Sequence, residues 1–131
     1  MMREISKGHE TVEGFFERCF KDDLLSLLVW QRADKSIFGF QISYDPADIP
    51  RTLTWTEERG FSHAVIDEGE SSPLKNRSAM LKPSGDFDAV GLLLGFDSAS
   101  EEVSVVEREF VRQKLMQAQA WWERRIAQSR Q

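Results

Sequence analysis

The chain has 131 residues, 40% hydrophobic and 30% charged, a balance that suits one folded core and lies far from the composition of disordered chains. Its formal net charge of −5 has the wrong sign for gripping a nucleic-acid backbone, so nucleic acid is not expected as a partner. A single cysteine, Cys19, excludes an internal disulfide and a multi-cysteine zinc site, which makes a reducing, cytoplasmic setting the expectation.

The longest uncharged apolar stretches, 24–31 and 89–96, fall well short of the roughly 20 residues that span a bilayer. The first residues carry no apolar segment of the kind that marks a signal peptide. Membrane attachment is therefore not expected.

In chain order, residues 1–8 lack periodicity and are expected to be a flexible N-terminal tail ahead of a single domain over 9–131. Val12, Phe15, Phe16, Cys19 and Phe20 then share one side of a helical wheel, which predicts an N-terminal amphipathic helix. Residues 24–32 are apolar without a decisive period. A strand is preferred there, with a helix over 24–30 as the alternative, because 37–44 alternates, with Phe38, Phe40, Ile42 and Tyr44 against Gly39, Gln41 and Ser43, and Ala33-Asp34-Lys35 supplies a hairpin turn.

Asp45-Pro46 and Ile49-Pro50 mark an irregular connection. A second hairpin follows, with strands at 52–56 and 61–66 around a turn at 57–60. Residues 69–73 read as loop, 78–82 as a further strand ended by Pro83 to Asp86, and 89–96 as either strand or helix.

The last element is a long amphipathic helix, roughly Glu101 to Ala127, opened by the capping-box spacing of Ser98 and Glu101. On a wheel its apolar residues form two strips: Val103, Val106, Phe110 and Trp121, then Val111, Leu115, Ala118, Trp122 and Ile126. Glu107, Lys114 and Arg125 lie between the strips, which suggests two contact faces. Residues 108–131 hold six cations against two carboxylates, a charge of +4 that leaves −9 on residues 1–107. The fold class that follows is α+β: an antiparallel sheet of about four to six strands, with the N-terminal helix and the long C-terminal helix packed on it.

Candidate chemistry is sparse. No phosphate-binding loop, dinucleotide fingerprint, nucleophile elbow or zinc-protease helix is present, and neither metal nor cofactor is expected. His63, Asp67, Glu68 and Glu70, with Glu57 and Glu58 nearby, form the densest set of potential acid and base groups. On a strand His63 and Asp67 would stand about 13 Å apart at roughly 3.3 Å per residue, too far to chelate together. Cys19 is expected to be packing on the apolar face of its helix rather than a nucleophile.

Trp30, Phe40 and Trp55 are candidate walls for an apolar ligand, and Phe110, Trp121 and Trp122 candidate interface residues. The reading that results is a non-catalytic binding protein, homodimeric, holding a small apolar ligand or a protein partner. The alternative is a small hydrolase or isomerase using His63 with the carboxylates of 57–70.

Overall fold

A computed structural model describes residues 1–10, 14–44, 50–67, 80–83 and 87–129. Seven strands pair in sequence order into one antiparallel sheet: β1 (Arg3–Glu10), β2 (Phe16–Lys21), β3 (Leu25–Gln31), β4 (Ile37–Tyr44), β5 (Arg51–Thr56), β6 (Gly60–Asp67) and β7 (Met80–Pro83). Two helices follow, α1 (Ala89–Ala99) and α2 (Val105–Ser129). The class is α+β, with both helices C-terminal to the sheet.

The alternation that defines β3 and β4 sends Leu25, Leu27, Val29 and Gln31, with Phe40 and Ile42, to the buried face. Through the cross-strand register the same face receives Phe20 from β2, Leu53 from β5 and His63 from β6. Leu92 and Phe96 of α1, and Val111, Leu115 and Ala118 of α2, close over it as one core cluster. Burial at positions 111, 115 and 118 is the spacing of a single helical face.

Four expectations need correction. The N-terminal helix is instead the hairpin β1–β2, and residues 1–8 are largely strand rather than tail, with Met2 fully buried. The apolar residues at 15, 16, 19 and 20 fit a helical stripe, but on β2 it is Phe16, Arg18 and Phe20 that share the core face. A charged residue at the centre of that face breaks the period-2 signal, and only its distant partners make the burial tolerable. The sheet also has seven strands, one more than the upper bound expected.

Residues 89–96 are helix, capped by the Asp88 side chain, which accepts from the Gly91 amide. The long helix starts later than expected, at Val105, because Ser98 and Ala99 finish α1 and Ser100 serves as its C-cap. The Ala99 carbonyl accepts from the Met2 amide at 2.8 Å and the Ser100 carbonyl from the Val103 amide at 3.0 Å, so backbone hydrogen bonds fix the joint between the helices. The connections at 45–49, 69–73 and 84–86 lie outside the described residues.

Two hairpin turns at one end of the sheet place the residues that follow. Between β5 and β6 the chain turns through Gly60 at φ 74°, and between β3 and β4 through Lys35 at φ 72°. Glycine is the inexpensive occupant of such left-handed backbone, whereas a lysine there costs about 1 kcal/mol. The Lys35 turn is held by Lys35 N–H to the Arg32 carbonyl at 2.8 Å, and by Asp34, whose carboxylate accepts from the Ser36 amide and hydroxyl.

Candidate functional site

His63 lies on the core face of β6, 5% exposed, opposite Leu53. Tyr44 hydrogen-bonds its Nε2, Phe87 lies 4.4 Å from its ring centroid to centroid, and Trp122 meets it edge-on at 5.6 Å. Trp121 packs on Phe61 at 5.5 Å and Phe87 at 6.5 Å, so these rings form one aromatic cluster under the C-terminal half of α2. Glu57 and Glu58 are exposed on the turn that precedes β6, away from this cluster. Asp67 ends β6, while Glu68 and Glu70 lie outside the described residues. The histidine thus sits among packed rings rather than in an open cleft.

The aromatic trio considered for an apolar ligand is divided by the sheet. Phe40 is fully buried on the core face and stacks on Trp55 at 6.3 Å. The other side of Trp55 is occupied by Phe110 at 5.4 Å and by the Lys114 ammonium, 4.2 Å from the ring centroid. Trp30 faces the opposite way, because it pairs with Gly39 while its neighbour Val29 pairs with Phe40. Its indole N–H donates to Glu17 at 3.0 Å, and its ring lies over Gly39, where a Cβ would stand 2.8 Å from Trp30 Cε3. Any residue but glycine there would displace the indole.

The expected interface residues Phe110, Trp121 and Trp122 each commit ring surface inside the chain. Glu107 and Lys114, expected to separate two contact faces, point into the sheet instead. Together these contacts lay α2 across the strands, touching β2 near Glu107, β5 near Phe110 and β6 near Trp121 and Trp122.

The most developed polar arrangement is at the start of α2. Arg18 donates to both Glu4 oxygens at 2.7 and 2.9 Å, to Glu107 Oε1 at 2.7 Å and to Ser104 Oγ at 3.0 Å. Gln31 Nε2 donates to the same Glu107 oxygen at 2.9 Å and makes a long contact of 3.4 Å with the Lys35 carbonyl. Glu107 is 5% exposed and Gln31 7%, so a carboxylate and an amide are held inside the protein by charge-assisted bonds. The Glu4 hydrogen bonds and the Glu107 charge, working against burial, keep the Arg18 guanidinium protonated even more firmly than usual.

These side chains form part of the floor of a cavity of about 510 Å³, within the range that holds small-molecule ligands. Phe16, Ala33 and Val106 provide its apolar lining. Arg32 and Lys35 stand on the hairpin at its margin. Arg32 pairs with Glu57 and lies over Phe38, whereas the Lys35 ammonium meets no acidic group among the described residues. Among those residues no group of three or more potential metal ligands converges.

Of this site, sequence reading reached Glu107 only as an interruption between strips and Lys35 only as a turn residue; Arg18 and Gln31 gave no signal, since the Glu107 carboxylate they share is 89 and 76 residues away. Cys19, set on β2 rather than on a helix, is half-buried, and burial first, with Glu17 second, pushes its thiol pKa up, which disfavours the reactive thiolate. Compared with known proteins, the chain matches no family model, no curated protein and no solved structure.

Proposed function

We propose that this protein is a non-catalytic binding protein that holds a small, largely apolar molecule in the cavity between the β3–β4 hairpin and the start of α2. The observation that carries the reading is that cavity's construction: an apolar wall set against a buried polar floor whose donors and acceptors are already paired with one another. A floor of this kind orients a ligand and resists rearrangement, whereas turnover would call for a group free to exchange protons. The alternative, a hydrolase or isomerase built on His63, has less support, because that ring is 5% exposed and packed against Tyr44, Phe87 and Trp122.

The test is fluorescence titration with N-phenyl-1-naphthylamine, a neutral apolar probe. Saturable one-to-one binding is expected, weakened at least tenfold by Val106→Trp, which fills the cavity from an exposed position. Non-saturable binding, or binding indifferent to that substitution, would overturn the reading.

Self-association belongs to the same proposal. Its support is the exposed apolar surface of α1, where Val90 is 46% and Leu94 64% exposed, and the opposition of a +4 C-terminal segment to a −9 remainder. Light scattering should give twice the chain mass for the wild type and a single chain mass for Leu94→Asp; a wild-type monomer removes the dimer.

A further inference from the structure

We infer that the cavity's ligand carries a single negative charge, a carboxylate on an apolar body, and that Lys35 is the residue that receives it; this rests on the binding reading above. Three observations carry it.

The first is the backbone. Lys35 adopts φ 72° at a turn position whose counterpart in the adjacent hairpin, at φ 74°, is Gly60. Gly60 has nothing within 4 Å of where a Cβ would stand, so open space does not distinguish the two turns; glycine would serve at either. A lysine in left-handed backbone beside a cavity points to a use for its side chain.

The second is charge. Among the cations lining the cavity, Arg18 is committed to Glu4 and Glu107, and Arg32 to Glu57. Lys35 is left with no acidic partner among the described residues, in a chain whose net charge is −5. One uncommitted ammonium matches one carboxylate; a doubly charged phosphate would require more. In a chain of net charge −5, an uncommitted ammonium at a cavity favours an anion there over a neutral molecule of the same shape.

The third is anchoring. Gln31 contacts the Lys35 carbonyl and bonds Glu107, so the strained turn is tied to the buried floor. Val106, 69% exposed, and Phe16 give the apolar body of the ligand its surface.

The experiment is isothermal titration calorimetry at pH 8 with octanoate and octan-1-ol, molecules of equal chain length that differ in charge. Wild-type protein should prefer octanoate by about tenfold. Lys35→Gly should abolish that preference while raising the unfolding midpoint, since glycine relieves the left-handed backbone, and Lys35→Arg should retain it. Equal affinities in the wild type, or a preference that survives Lys35→Gly, would overturn the charge assignment while leaving the cavity reading intact. Binding of neither molecule would overturn both.

Discussion

The two ends of α2 are fastened to the same sheet by opposite means. At the N-terminal end, Glu107 enters the protein as a charged group and is held by Arg18 and Gln31. At the C-terminal end, Trp121 and Trp122 close over Phe61, His63 and Phe87 through ring contacts. The polar end is specific but intolerant, because removing one partner leaves another buried without its hydrogen bonds. The aromatic end is additive, because each ring contributes its own buried area and loses little when a neighbour is trimmed. The cavity of about 510 Å³ lies at the polar end, where fixed donors and acceptors keep side chains from collapsing into the space.

Glu107→Ala should have the largest effect, lowering stability by about 3 kcal/mol in urea unfolding, because it strips Arg18 and Gln31 of an acceptor inside the protein. If the network is as coupled as its geometry indicates, replacing Glu4, Arg18 and Glu107 together by leucine, methionine and leucine should recover much of that loss. An additive loss across the three would break the contrast between the two ends. Trp122→Ala comes next, at about 2 kcal/mol, a half-buried ring lost from a cluster that otherwise remains. A loss above that of Glu107→Ala would reverse the ranking. Lys114→Ala, midway along α2, should cost only about 0.5 kcal/mol, the value of an ammonium over a ring face that is partly open to water.

Acid sensitivity sharpens the contrast only after a separate contributor is subtracted. Burial alone would raise the Asp22 pKa, but bonds from the Leu25 and Leu24 amides to its carboxylate outweigh it and bring the pKa below the usual carboxylate value. A carboxylate with a depressed folded-state pKa adds stability above its ordinary pKa and loses it as the pH falls through the folded value. Asp22→Asn should therefore melt lower than wild type at pH 6, and the gap should close on acidification. A gap that stays constant to pH 2 would remove Asp22 as a source of acid sensitivity.

Local pattern located much of the sheet. The alternation at 37–44 and 52–56, and the glycine-bearing turn at 57–60, correspond to β4, β5 and the turn into β6, because hairpins are set by neighbouring residues. The failures came where local and distant forces disagree. Phe15, Phe16, Cys19 and Phe20 satisfy a helical wheel, yet pairing with β1 and β3 makes that segment a strand. The stretch 89–96, apolar throughout, was undecidable until packing against α2 made it helix. Residue type alone nominates Trp30, Phe40 and Trp55 as one wall, and type does not say on which side of a sheet a ring stands; the register puts Trp30 on the other side.

What the sequence determined by itself is the α+β class, the positions of the central hairpins and a long amphipathic helix near the C-terminus, all products of periodicity and turn chemistry over a few residues. Only the tertiary structure decided that Arg18, Gln31, Lys35 and Glu107 meet beside one cavity. Their partnership spans as many as 89 residues, and no local pattern records which buried charge will find which acceptor once the sheet has brought them together.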